Sequence, residues 1–352
     1  MPDIQSCIDA ALNTPYAYGG PAGQGIIRRH AEDYIVDEIP LLEPDGEGEH
    51  VWLKIRKRHT NTDFVARQLQ NFAGVRPVAV SYAGLKDRHA LTTQWFSVHL
   101  PGEMPDWQTL ASDELEILEV KRHARKLRRG TLKGNHFQII IRDAQPDAAR
   151  LTELATRISS GGVPNYFGGQ RFGHDGQNLL KAMAMFEGKR VKRHQRSMYL
   201  SAVRSMIFNA VLARRVEEGS WNTLQAGDVC LRTGRRGFFP VESIDDELLE
   251  RLGKGEIHPT GPLWGEGDTA VRGNIAELEQ SIASDYSVWC EGLEKARLDM
   301  DRRALRLIPE NFSCKPIEEG VRLEFDLPAG CYATTVIREL LDVKDYDRFN
   351  NT

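Results

Sequence analysis

The chain has 352 residues, 41% of them hydrophobic and 27% charged, with a formal charge of −4. That composition describes a globular protein long enough for two domains and excludes a disordered or fibrous one. Any anionic partner must be met by local clustering of the 46 Lys and Arg, because the chain as a whole is not basic.

The five cysteines (Cys7, Cys230, Cys290, Cys314 and Cys331) are scattered and include no C-x-x-C pair. This argues against a disulfide framework or zinc knuckle and fits a reducing compartment. The first residues lack a basic and apolar leader pattern, and no later run approaches the ~18 apolar residues of a membrane span. The expectation is a cytoplasmic protein with no membrane partner.

In chain order, Ile26 and Ile27 lead into Arg28–Val36, a strand candidate interrupted by polar residues. Glu43–His50 is an acidic, glycine-rich turn whose spacing misses a calcium loop. Val51, Leu53 and Ile55 alternate with Trp52, Lys54 and Arg56 as a strand. A helix follows, with capping candidates Asn61, Thr62 and Asp63, an apolar face of Val65, Leu69 and Phe72, and Gly74 to close it.

Val78, Val80 and Tyr82 then recur with period two, as do Phe96, Val98 and Leu100, so that Gly84–Gln94 forms a charged loop with Asp87 at its tip. Such a loop can present a catalytic group on a rigid support or be no more than a solvated turn. Leu115, Ile117 and Val120 suggest a further strand, and Phe137–Ile141 a buried one. Beyond the glycine and aromatic segment Gly161–Gly173, helical spacing takes over. Leu200, Val203, Ile207 and Val211 share one face, and Ile275, Leu278, Ile282, Tyr286, Trp289 and Leu293 predict one long amphipathic helix. Strand alternation returns at Leu323, Phe325 and Leu327, before a short helix with Ile337 and Leu340. The expected class is α+β, with both chain ends forming one domain around an inserted middle.

No Walker loop, dinucleotide fingerprint, nucleophile elbow or H-E-x-x-H pair is present, and the ten histidines are dispersed. No metal or nucleotide cofactor is indicated. Lys121–Asn135 holds seven Lys or Arg and no acid; Lys189–Arg196 is a second basic cluster, with Arg204 and Arg235-Arg236 beyond it. Each run alone also fits a solvated charged face, but two of them point to phosphate recognition. Tyr34, Tyr166, Phe167, Phe172 and Tyr332 are either core aromatics or stacking platforms for unpaired bases.

Gly84-Leu-Lys-Asp87 with Ala90-Leu-Thr-Thr-Gln94 closely resembles the signature of the tRNA pseudouridine synthase D (TruD) family. So do, in family order, Glu43–His50, Arg125–Arg128 with Leu132–Asn135, Val163–Gly168 with Gln170–Gly173, and Leu327–Gly330 with Ala333-Thr334 and Arg338–Leu340. The resemblance runs from about residue 20 to 345. It implies a discontinuous pseudouridine synthase domain, residues 1–160 and 310–352, with a mixed, largely antiparallel sheet. A mainly helical TRUD-type insertion would occupy residues 161–309. It implies isomerisation of uridine to pseudouridine at position 13, in the D arm of tRNA, without cofactor, metal or obligate protein partner.

Carried over residue by residue, the resemblance gives Asp87 as the catalytic group and Tyr34, Asn135 and Tyr332 as substrate-binding residues. The family often has Phe where this chain has Tyr34 and Tyr332; stacking survives that change, but the hydroxyls then need partners. Arg28 and Lys86 are candidates to pair with Asp87 or to touch RNA. A carboxylate could attack C1′ or remove a sugar proton, and both routes stay open. An RNA-binding protein without turnover, or a uridine-modifying enzyme that needs a cofactor, are the alternatives.

Overall fold

The computed structural model describes residues 3–235 and 237–346. In chain order it contains α1 (Ile4–Leu12), β1 (Gln24–Ile27), β2 (Tyr34–Pro40), β3 (His50–Arg58), α2 (Thr62–Ala73), β4 (Val80–Tyr82), β5 (Leu91–His99), β6 (Leu115–His123), β7 (Leu132–Arg142) and α3 (Ala148–Gly161). The middle holds β8 (Val163–Pro164), α4 (Gln177–Phe186), α5 (Arg193–Glu217), β9 (Val229–Arg232), β10 (Phe238–Pro240), α6 (Asp246–Gly253), β11 (Ile257–Leu263), α7 (Gly273–Asp285), α8 (Ser287–Lys295), β12 (Asp301–Ala304) and β13 (Arg306–Leu307). It ends with β14 (Glu310–Ile317), β15 (Gly320–Pro328), α9 (Ala333–Leu340) and β16 (Asp342–Asp345). The chain divides into two compact units: Pro21–Ala155 with Pro309–Ala333 and Leu340–Thr352, and Met1–Gly20 with Thr156–Ile308 and Thr334–Glu339.

The first unit is built on one mixed sheet in the order β14-β15-β7-β2-β5-β3-β6, with β1, β16 and β4 added at its margins. β7 is antiparallel to both β15 and β2, which explains its run of buried Phe137, Ile139 and Ile141. Directly paired residues share a face, so the registers Glu38↔Asn135, Asn135↔Leu327, Val36↔Thr92 and Lys57↔Thr92 put these side chains on one side of the sheet. Further along that side, Leu53, Ile55, Phe96 and Val98 pack with Val65 and Leu69 of α2. Burying each such side chain stabilises the unit by roughly 1.5–3 kcal/mol. Gly134 can only be glycine, since a Cβ there would lie 2.2 Å from the carbonyl oxygen of Leu327.

Several expectations shift here. Asn61 takes the N-cap position of α2 but makes no side-chain capping bond, while Gly74 closes the helix with φ of 64°. Val78 lies in a 3-10 turn and is 71% exposed, so the strand begins only at Val80. In β6 the register to β3 slips by one residue between Glu119 and Ile117, which lets Ile117 and Val120 face the same core despite their odd spacing.

In the second unit, α5 buries Leu200, Val203, Ile207 and Val211, as its spacing predicts. The long helix expected from Ile275 to Leu293 is instead α7 and α8, broken at Tyr286, whose φ and ψ of −103° and 25° leave the helical region. A four-stranded sheet, β10-β9-β11-β12, is a feature that helical periodicity did not announce. Pro259 and Pro262 inside β11 hide its strand pattern. α1 and residues 334–339, expected with the chain ends, cluster in this unit; a Cβ on Gly176 would lie 2.4 Å from Ile8 of α1. All five cysteines are free. Among the described residues, no helix is long and apolar enough to cross a membrane.

Candidate active site

The segment between β4 and β5 is tied down at successive residues. The Gly84 carbonyl accepts from Gln94 Nε2 (3.0 Å), the Lys86 amide donates to Thr62 Oγ1 (3.0 Å), and that hydroxyl donates to Gln94 Oε1 (2.9 Å). The Lys86 ammonium turns inward to Glu38 Oε2 at 3.0 Å, with side chains only 4% and 1% exposed. Glu38 Oε1 also accepts the Trp95 amide at 3.3 Å. Breaking so buried a pair costs about 3–5 kcal/mol, because the remaining charge would be stranded. Finally, the Asp87 carbonyl accepts from the Lys57 ammonium at 2.9 Å. Gly84, Lys86 and the Asp87 carbonyl are thus engaged, while the Asp87 side chain itself stays 58% exposed.

Arg28 faces that carboxylate. Its guanidinium reaches Asp87 Oδ2 at 3.2 Å with one terminal nitrogen and Asp345 Oδ2 at 2.6 Å with the other, and lies 3.9 Å over the Tyr34 ring. Parallel pairing of β1 with β16, in register Ile27↔Asp345, brings Asp345 to this point. Arg28 has a φ of 59°, a left-handed conformation that costs a non-glycine residue roughly 1–2 kcal/mol. Burial works against its charge, but Tyr34, Asp87 and Asp345 together overcome it and raise the guanidinium pKa. Arg28, and not Lys86, is therefore the partner of Asp87.

Tyr34 opens β2 where Asp33 anchors the chain: both carboxylate oxygens of Asp33 accept from Arg142 Nε at 2.9 Å, and one also takes the His30 amide. The Tyr34 ring is 2% exposed, with Arg28 over its face and Phe137 at its edge, 6.4 Å between centroids. Burial pushes its hydroxyl well above the ordinary phenol range, against the pull of Arg28. The face that base stacking would need is occupied by the guanidinium. Asn135 lies opposite Glu38 on β7, and its Oδ1 is a buried acceptor with no hydrogen-bond partner among the described residues, an atom that a uracil or ribose edge would satisfy. Tyr332 is half-buried in the loop between β15 and α9, five residues beyond the Leu327 that pairs with Asn135.

Lys57 and Asp345 are the site residues that sequence reasoning missed. Burial pulls the Lys57 ammonium down to about 8, opposed by the Asp87 carboxylate and reinforced by Lys86. A signal existed: Lys57 continues the odd-numbered row Val51, Leu53, Ile55, a lysine at a core parity.

The basic runs divide into cations spent on structure and cations left exposed. Arg122 donates to the Leu100 and Gly102 carbonyls, Lys126 to the Val78 carbonyl, and Arg129 stacks 3.5 Å over Tyr82. Arg125, Arg128 and Lys133 remain exposed. Lys189, Arg190, Lys192, Arg193 and Arg196 are exposed around the start of α5, which has no acid in its first turn. Arg204 is instead spent on the Leu263 and Asp299 carbonyls, and Arg236 lies outside the described residues. Tyr166, Phe167 and Phe172 are core aromatics, 2%, 9% and 0% exposed.

The sequence profile of the family described as tRNA pseudouridine synthase D (TruD) matches residues 13–180 and 175–340. The tRNA pseudouridine synthase D of Aeromonas salmonicida is 49% identical over 337 residues, covering 94% of this chain and 95% of its own length. That of Methylococcus capsulatus is 47% identical over 332 residues, 93% of this chain and 94% of its own. A crystal structure of a putative tRNA pseudouridine synthase D from Methanosarcina mazei shares the fold, with a TM-score of 0.73 at 24% identity over 97% of this chain and 98% of that one. The chain belongs to the tRNA pseudouridine synthase D family.

Proposed function

We propose that this protein isomerises uridine to pseudouridine at position 13 in the D arm of tRNA, with Asp87 as its essential carboxylate. The observation that carries the reading is the Asp87 side chain, exposed on a loop whose neighbouring residues are anchored and faced by an Arg28 that Asp345 and Tyr34 hold in turn. The reaction breaks N1–C1′, forms C5–C1′, moves the C5 proton off carbon and returns one to N1, so atoms and electrons balance without a redox partner. An ionised Asp87 can attack C1′ or take the sugar proton. The Arg28 guanidinium, 3.2 Å away, holds the carboxylate in place.

Reaching the uridine requires taking it out of the stack, at a cost of a few kcal/mol. In this reading Asn135 Oδ1 accepts a donor of the flipped nucleotide, Tyr332 supplies the stacking ring, and Tyr34 serves from beneath Arg28. The segments 1–160 and 310–352 act as the catalytic domain in the cytoplasm, and the TRUD-type insertion, residues 161–309, contributes Lys192, Arg193 and Arg196 to tRNA binding.

The test is Asp87→Asn on unmodified tRNA, in chelator, with pseudouridine quantified at each position. The variant is expected to fold and bind tRNA but to lose turnover by ~10³-fold or more. Full activity in Asp87→Asn overturns the role of Asp87, and wild-type protein that binds tRNA without forming pseudouridine would make it a binding protein.

A further inference from the structure

We infer that Lys57 is a positioning residue for Asp87, holding its peptide through the main-chain carbonyl so that the exposed carboxylate stays opposite Arg28. This rests on the proposed catalytic role of Asp87. On β3 the flanking cations turn outward: Arg56 pairs with Glu116 and is 43% exposed, and Arg58 pairs with Glu32 and is 42% exposed. Lys57 goes the other way and is 1% exposed. Its hydrogen bond goes to a main-chain carbonyl, not to a carboxylate. For stability alone this is a poor arrangement, since a buried ammonium with a carbonyl acceptor recovers little of its lost hydration. The depressed lysine pKa reports that loss, and the Asp87 carboxylate is the largest influence opposing it.

The surroundings leave Asp87 as the anion that Lys57 serves. Lys86, from the same loop, is already neutralised by Glu38 of β2. Arg28 of β1 is held by Asp345 of β16 as well as by Asp87, over Tyr34 of β2. Opposite Lys57, β5 offers uncharged Thr92 and β6 offers Leu115. On α2, Asp63 is engaged by the Tyr82 hydroxyl.

Lys57→Met and Lys57→Gln distinguish positioning from packing. Measured on full-length protein with unmodified tRNA, Lys57→Met is expected to unfold at the same or higher temperature than wild type. Its single-turnover rate should fall by ~10-fold or more while tRNA affinity stays within about twofold, as misplacing one reacting group predicts. Lys57→Gln keeps a donor for the carbonyl without the charge, and should show a smaller loss of rate than Lys57→Met. A Lys57→Met rate equal to wild type, a loss confined to tRNA affinity, or a Lys57→Gln rate no better than that of Lys57→Met overturns the inference. Wild-type protein that forms no pseudouridine overturns instead the reading beneath it.

Discussion

Glu339 shows how far one side chain can depart from its ordinary chemistry. Its carboxyl is 1% exposed, accepts the Ala17 amide at 3.0 Å and lies 3.5 Å from Arg338. Burial raises its pKa to about 7, with Arg338 and the Ala17 and Tyr18 amides pulling the other way. A raised carboxylate pKa means that the folded state binds the extra proton between pH ~4.5 and ~7, so stability falls as pH rises through that window. Glu339→Gln, which retains the acceptor oxygen, should therefore leave the melting temperature nearly unchanged at pH 5 and stabilise the protein by about 2 kcal/mol at pH 8. Equal effects at the two pH values, in paired melting curves, would count against a neutral Glu339 at low pH. At this same scale lies what the sequence could and could not say. Asp87 and Asn135 stood in a recognisable motif, and Lys57 was legible from parity. Asp345 was not, because its partner Arg28 is 317 residues away and nothing local marks either as half of a pair. The pairing of Lys86 with Glu38, and not Asp87, depends on which way a loop lysine turns, which alternation in a non-strand segment does not fix.

At the scale of elements, the Asp87 loop owes its order to its neighbours. Thr62, the first residue of α2, was expected to cap that helix; its hydroxyl instead joins the Lys86 amide to Gln94 of β5. Thr62→Val keeps the shape and removes both bonds, leaving a buried donor and acceptor unmatched at about 1–3 kcal/mol. The expected result is a lower urea midpoint together with a single-turnover rate reduced ~10-fold and tRNA affinity unchanged. A reduced midpoint with an undiminished rate would show that the loop keeps its geometry without this bridge. Element types were largely readable where one periodicity ran unbroken, as in β7 and α5. They were misread where a single residue interrupted it: Tyr286 splits α7 from α8, and two prolines disguise β11.

For the whole molecule, charge is segregated and not merely abundant. A chain of net charge −4 keeps an exposed basic group at the start of α5, and another at Arg125, Arg128 and Lys133. Replacing Lys192, Arg193 and Arg196 together by Gln is expected to weaken tRNA binding and reduce the slope of log affinity against log salt by ~2, as loss of about three phosphate contacts requires. An unaltered slope would mean that this cluster does not face the RNA.

The position of β15 also sets a timetable. β7 ends at Arg142, yet the strand that covers its second side begins at Gly320. At a synthesis rate of about 5–20 residues per second, β7 waits on the order of ten to forty seconds with unpaired amides and carbonyls facing outward. The wait for Asp345 to meet Arg28 is longer still. A nascent chain therefore cannot complete the Asp87–Arg28–Asp345 arrangement until nearly the whole sequence has been synthesised, and until then β7 keeps one edge open to wrong pairing.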